Sequence, residues 1–91
     1  MIEISKAKQV GDYQIELVFN NKKKGVVDLK DMLFSDHRKI FQELKDLNKF
    51  KKFKIEFDTL SWENGLDLAP EFLYDLLLNS NKINWNKIKI V

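Results

Sequence analysis

The stretch 61-SWENGLDLAPEFLYDLL-77 contains the change from an alternating pattern to a helical one. Trp62 ends an alternating run, and Asn64-Gly65 has the residue types of a tight turn because both tolerate a positive φ. Pro70 suits the first position of a helix, where its fixed φ fits and its missing N–H costs nothing. The buried stripe of that helix would be Phe72, Leu73, Leu76 and Leu77. The stretch therefore predicts a strand, a turn and a closing helix.

The first third of the chain has the period of β-structure. Apolar residues occupy every second position at Tyr13, Ile15, Leu17 and Phe19, which predicts a strand with one face on a core. Asn20-Asn21 then marks a turn, and an extended segment resumes at residues 25–27 and ends near Asp28-Leu29. An earlier short strand around Ile2 and Ile4 would pair with this hairpin through a connection at residues 11–12.

The middle of the chain has helical spacing. Ser35 or Asp36 would cap a helix whose buried face consists of Ile40, Phe41, Leu44 and Leu47. A short helical turn over residues 29–34 would precede it. Alternation then returns at Phe53, Ile55 and Phe57, which predicts a strand with these three residues inward and, after Asp58-Thr59, a second hairpin.

These segments together predict an α+β fold. We expect a small antiparallel sheet built from two hairpins with two helices packed on it, plus a short C-terminal strand or tail. Residues 1–78 would form one domain. Residues 79–91 would be an extension whose apolar side chains are buried in a packed strand or an oligomer contact; these are Ile83, Trp85, Ile88 and Ile90.

Composition limits the class of protein. The chain has 91 residues, 44% of them hydrophobic and 33% charged, which is typical of one small soluble domain. It has no cysteine, no apolar signal segment and no run long enough to span a membrane, so we expect a cytoplasmic protein that does not bind membranes. The small core makes a homo-oligomer a reasonable expectation.

Few residues are available for catalysis. His37 is the only histidine, and three glycines are too few for a phosphate-binding loop, so we expect no cofactor, no metal and no enzymatic activity. One enzymatic alternative remains, in which strand-end carboxylates hold a divalent cation. Its candidates are Asp28, Glu63 and Asp67, with Asp12 also near a strand end. Acidic residues at strand ends more commonly cap turns and helices.

Lysines occur in two groups that suggest a second alternative, binding of nucleic acid. One group is Lys22, Lys23 and Lys24 in the predicted turn; the other is Lys51, Lys52 and Lys54 beside Phe50 and Phe53. The alternation places the phenylalanines on the core face and the lysines on the solvent face, and exposed lysines also protect sheet edges. A net charge of +2 does not favour nucleic acid either.

Asp67 is the least easily explained residue of the opening stretch. Ala69 occupies the position that caps the predicted helix, and alanine cannot accept the capping hydrogen bonds. Asp67 or Asn64 would either reach those amides from further back or face a partner. We therefore take four residues of this region as candidate partner-binding residues: Trp62, Asn64, Asp67 and Tyr74.

The opening stretch also resembles a known family. Trp62, Asn64-Gly65, Asp67-Leu68, Pro70-Glu71 and Leu73-Tyr74 are similar to the signature of the bacterial family called domain of unknown function 2442. Tyr13 to Phe19, Asn20-Asn21, Asp28-Leu29 and Met32-Leu33 resemble its opening hairpin and the segment after it, so the likeness covers about residues 1 to 78. The family's turn usually reads Asn-Gly, whereas Lys22 follows Asn21 here.

The resemblance implies a small α+β fold with an antiparallel sheet and no established activity. Members are similar in being small prokaryotic proteins, often encoded beside another small domain in pairs suspected to be toxin–antitoxin modules. We therefore expect a non-enzymatic interaction module, the antitoxin-like member of such a pair, with a protein partner encoded by an adjacent gene.

Overall fold

The computed structural model describes residues 1–79 and confirms the α+β class. Six strands form within this range: β1 Ile4–Gly11, β2 Gln14–Phe19, β3 Lys24–Asp28, β4 Lys54–Glu56, β5 Thr59–Ser61 and β6 Asp67–Leu68. Four short helices accompany them, namely α1 Lys30–Ser35, α2 Lys39–Gln42, α3 Leu47–Phe50 and α4 Pro70–Asn79, with a 3₁₀ turn at Glu43–Lys45 between α2 and α3. The strand or oligomer contact predicted for the C-terminal extension lies outside the described residues.

The first sheet has the order β1-β2-β3, and both pairs are antiparallel. Its inner face carries Ile15, Leu17, Phe19 and Val27, all buried, which confirms the predicted hairpin and its core face. In the turn, Lys22 has a φ of 72°, the left-handed conformation that glycine adopts at no steric cost. Asn21 Oδ1 accepts a hydrogen bond from the Lys23 amide, 2.9 Å away, and so holds the turn without glycine.

The predicted middle helix is divided into α2, the 3₁₀ turn and α3. Asp46 has an extended ψ of 113° and caps α3, its carboxylate accepting a hydrogen bond from the Asn48 amide at 2.8 Å. This cap interrupts the helical periodicity. Leu47, predicted to be buried, is therefore partly exposed, and Phe50 fills the core from the end of α3 instead.

The second hairpin forms a sheet of its own with the order β4-β5-β6, so the two hairpins do not share one sheet. Leu60 and Trp62 are buried, as predicted, but Ile55 and Phe57 are exposed. The reason is the position of the turn, which lies at Phe57-Asp58 rather than Asp58-Thr59: Glu56 faces Thr59 across it. The strand before the turn is too short and too exposed to contribute a core face.

Helix α4 begins at Pro70 as predicted, and it closes the core. Leu73 and Leu76 are buried, while Phe72 and Leu77 are partly buried. Leu29, Met32 and Leu33 of the α1 region face the same core, in agreement with the sequence pattern. Buried residues of both sheets and of all four helices form one cluster, so residues 1–79 have a shared core.

Candidate functional site

The β4–β5 hairpin carries an aromatic side chain into solvent. Each strand has only three residues, and the loop between them has two, Phe57 and Asp58. Both have positive φ, 52° and 63°, which is the geometry of a type I′ turn. Phe57 is 94% exposed. We call Glu56, Phe57 and Asp58 the hairpin tip.

The conformation of Phe57 is unfavourable for a bulky residue. A left-handed backbone costs an L-residue about 1–2 kcal/mol, and type I′ turns strongly prefer asparagine and glycine. The contact found at the turn is a hydrogen bond from the Thr59 hydroxyl to the Phe57 carbonyl oxygen at 3.3 Å. An exposed aromatic ring in a strained position is therefore the feature of the tip that local structure does not explain.

A small open cleft of about 190 Å³ lies beside the tip, lined by Glu56, Phe57, Thr59, Asp67 and Ala69. Asp67 lies in β6 opposite Ser61 and is partly buried. Its carboxylate makes no hydrogen bond or ion pair with the described residues, so it does not cap α4. Asp67 is thus available to a ligand or partner from this cleft.

The charges around Phe57 are mainly acidic. Glu56 and Asp58 flank it in the chain, and Asp67 lies across the cleft. Lys54 is the nearest cation found in the hairpin, and its ammonium lies 2.9 Å from a Glu56 carboxylate oxygen. Hydrogen bonding to Glu56 raises the pKa of Lys54. The tip therefore presents an apolar ring with acidic groups around it.

Trp62 and Asn64 line a second, larger cleft of about 360 Å³ together with Glu43, Leu44, Lys49, Lys52 and Glu63. Both residues have structural contacts there. The Trp62 indole N–H donates to the Phe50 carbonyl oxygen at 2.8 Å, and the ring is almost completely buried. These contacts account for Trp62 as a core residue.

Asn64 connects its turn to the helical segment. Its side-chain amide donates to the Ile40 carbonyl oxygen and to a Glu43 carboxylate oxygen, each at 3.0 Å. Its Oδ1 accepts from the Leu66 amide at 3.2 Å. The following Gly65 has a φ of 97°, so the predicted Asn-Gly turn is present. Asn64 serves this turn and not the start of α4.

Tyr74 lies on α4 and contacts the first sheet. Its ring packs edge-on against Phe19 with 5.1 Å between ring centroids, and its hydroxyl accepts from Asn21 Nδ2 at 3.0 Å. The four candidate partner-binding residues are therefore distributed over three places: Trp62 and Asn64 at the larger cleft, Asp67 at the smaller one, and Tyr74 against the β2–β3 turn.

The structure also shows where the residues of the nucleic-acid hypothesis and of the metal-site hypothesis lie. All six lysines of the nucleic-acid hypothesis are exposed: Lys22, Lys23, Lys24, Lys51, Lys52 and Lys54. Phe50 belongs to α3, so its assignment to a strand is wrong, although Phe50 is buried and the lysines are exposed as predicted. No set of three or more acidic or histidine side chains within residues 1–79 is grouped to hold a metal ion, so Asp28, Glu63 and Asp67 do not converge. Asp28 instead accepts from the Lys30 amide at 2.9 Å, at the start of α1.

Sequence patterns did not identify Phe57 as a site residue. Its alternation with Phe53 and Ile55 assigned it to the core, and the turn contains neither asparagine nor glycine. Only the tolerance of Asp58 for a positive φ pointed to a turn there.

Within the described range, no helix has the length and apolarity to cross a membrane.

Comparison with known proteins gives one family. A model described as a protein of unknown function (DUF2442) matches residues 4–78, most of the chain. No curated protein and no solved structure matches the sequence significantly.

Proposed function

The chain belongs to the DUF2442 family of proteins of unknown function, and we propose that it is a non-enzymatic interaction module that binds a partner protein through its hairpin tip. The exposure of Phe57 in a strained turn carries this proposal. A residue that costs folding stability and has no packing role in the described chain is best explained by a contact outside it.

The chemistry of the tip defines the partner. A phenylalanine ring is a typical interface anchor because it buries a large apolar area in a pocket. The acidic groups at Asp58 and Asp67 complement a positively charged rim around that pocket, whereas Glu56 is paired with Lys54. The partner is therefore a protein with an apolar pocket bordered by lysine or arginine side chains.

The resemblance to the family suggests where this partner is encoded. Gene pairs in the family are suspected toxin–antitoxin modules, and the present chain is the antitoxin-like member, which binds the product of the adjacent gene. Binding through an exposed ring in a turn requires no catalytic group.

Co-purification tests the proposal. The full chain, with an affinity tag, is expressed together with the product of the adjacent gene, and the growth of cells expressing either protein alone or both is measured. We expect a stable complex and relief of a growth defect that the partner causes alone. No complex, together with no growth effect of either protein, contradicts the proposal.

Phe57→Asn separates binding from folding. Asparagine adopts the left-handed conformation readily, so we expect the variant to be more stable than the natural protein by about 1 kcal/mol in urea unfolding. It should lose the complex, because the anchoring ring is gone; interface anchors contribute about 2 kcal/mol or more, which is at least a thirtyfold change in Kd. Phe57→Tyr is the matched control, since it keeps both the ring and the strained turn and should bind.

The Phe57→Asn variant also distinguishes partner binding at the hairpin tip from nucleic-acid binding by the lysines. A gel shift of DNA or RNA that weakens with salt and with charge reversal at Lys51 and Lys52, but not with Phe57→Asn, would assign the function to the lysines. An unaltered complex with the Phe57→Asn variant would instead move the partner site away from the hairpin tip.

A further inference from the structure

One edge of the first sheet has backbone groups in register for another strand. The Leu29 amide donates to the Tyr13 carbonyl oxygen and the Phe19 amide to the Lys23 carbonyl oxygen, both at 2.9 Å. The backbone N–H and C=O groups of successive residues point to opposite sides of a strand. Residues 23, 25, 27 and 29 therefore bond to β2, whereas residues 24, 26 and 28 direct these groups away from it. We call these outward groups of Lys24, Val26 and Asp28 the β3 edge.

The two edges of this sheet differ in how they are protected. β1, the opposite edge, has register shifts near both ends, exposes Lys6 and Lys8, and contacts β4. Irregular strands and lysines are common means of preventing edge-to-edge pairing. β3 pairs with β2 in an unbroken register from residue 24 to residue 28. Its outward backbone groups make no hydrogen bond to the rest of residues 1–79.

The side chains at the β3 edge are complementary to themselves. If a second copy pairs antiparallel about Val26, each Lys24 faces Asp28 of the second copy, and Val26 faces its own equivalent. Val26 is 48% exposed, so an apolar residue is covered at the centre of the pair and opposite charges meet at both ends. Each of these facing pairs can exchange two backbone hydrogen bonds, because the outward groups lie at the same positions.

We propose that two copies of this chain associate by pairing their β3 edges antiparallel about a two-fold axis at Val26. The first sheet becomes continuous across the dimer, with six strands. The interface is closed and uses the same surface of both copies, as is usual for homodimers. The proposal is independent of the partner site, because the hairpin tip belongs to the other sheet.

Cysteine cross-linking tests the geometry directly, because the chain has no cysteine of its own. Cα atoms of a hydrogen-bonded antiparallel pair lie about 5.5 Å apart, which is within the range of a disulfide. We expect Val26→Cys in the full chain to give a covalent dimer on mild oxidation. Val10→Cys is the matched control: Val10 is exposed to 46% on β1, where the register shifts. Equal cross-linking of the two variants overturns the proposal.

Light scattering across a concentration series tests whether the β3 edges hold a dimer together in solution. The natural protein should reach the mass of a dimer, and Val26→Pro should remain a monomer, because proline removes an outward N–H that the fold does not use. Far-UV circular dichroism checks that the variant is folded. Lys24→Glu provides a second variant and should weaken the dimer by about tenfold in Kd, since like charges then meet at both ends. A natural protein that is monomeric at every concentration, or a dimer that neither variant weakens, overturns the proposal.

Discussion

Trp62 illustrates how single residues hold this fold together. Its indole N–H bonds to the carbonyl oxygen of Phe50, and its ring lies 5.8 Å from the Phe50 ring and 6.2 Å from the Phe53 ring, centroid to centroid. The hydrogen bond satisfies a buried carbonyl at the end of α3, where the chain turns toward the second sheet. One side chain thus joins the helical segment to the strand that follows.

Trp62→Phe should therefore be strongly destabilising. The variant leaves the Phe50 carbonyl oxygen without its donor and creates a small cavity, for a combined loss of about 2–3 kcal/mol. Urea unfolding followed by far-UV circular dichroism measures this loss. Leu47→Ala, on the exposed side of α3, is the control and should change the free energy of unfolding by about 1 kcal/mol or less. A Trp62→Phe change as small as the control would mean that the hydrogen bond contributes little.

The ion pair between Asp36 and Arg38 makes a contribution to stability that depends on pH. Arg38 donates to both Asp36 carboxylate oxygens, with the closest contact at 2.7 Å, and this pairing lowers the pKa of Asp36 below its ordinary value of 3.8. Because the folded pKa is depressed, the stabilisation is present above pH 3.8 and is lost as the pH falls through the folded pKa. An NMR titration of Arg38→Gln should show the Asp36 pKa rising toward 3.8. Arg38→Lys, which retains the charge, should give a smaller rise.

Strand β3 and helix α4 approach each other closely, and the fold depends on this contact. A Cβ atom built on Gly25 would lie 2.7 Å from Leu77 Cδ1 and 2.9 Å from its Cγ. Glycine at this position therefore lets the closing helix lie directly on the edge strand. The contact joins the first hairpin to the C-terminal helix.

Gly25→Ala should displace Leu77 and destabilise the protein by about 1–3 kcal/mol, as overpacking does. Thermal or urea unfolding measures the loss. Leu77→Ala in the same chain removes the colliding atoms, so the effect of Gly25→Ala should become much smaller in that background. Equal effects of Gly25→Ala in both backgrounds would show that the helix does not constrain this position.

The two sheets share one core. Buried residues from both sheets and from the helices between them form a continuous cluster, including Leu17, Phe41, Leu60 and Leu73. Neither three-stranded sheet has a core of its own, and β4, β5 and β6 are too short to be stable alone. Unfolding of one sheet should therefore expose the core of the other.

We predict a single cooperative unfolding transition. Trp85→Phe leaves Trp62 as the only tryptophan, so its fluorescence reports on the second sheet while far-UV circular dichroism reports on the whole chain. The two midpoints in urea should coincide. Separate midpoints would indicate that the second sheet unfolds independently. The comparison should be made at one protein concentration, because self-association shifts apparent stability.

Much of the fold could be predicted because its signals are local. The strand from Tyr13 to Phe19 alternates over seven residues, and Pro70 with the apolar spacing after it defines α4. The family could also be predicted, since its signature consists of residues contiguous in the chain. The candidate site could not be predicted from the sequence. Phe57 and Asp67 are ten positions apart in the chain and meet at one cleft only because β5 pairs with both β4 and β6.

Local sequence patterns were sufficient to predict the α+β class, the first hairpin, α1, the Asn64-Gly65 turn and the start of α4, because each depends on neighbouring residues. The break in the middle helix and the orientation of Phe57 depend instead on contacts between distant parts of the chain. The Asp46 cap and the burial of Phe50 against Trp62 divide that helix, and a three-residue strand is too short for alternation to assign its faces. Contacts between residues distant in the chain therefore determined these features, and they left the Phe57 ring in solvent.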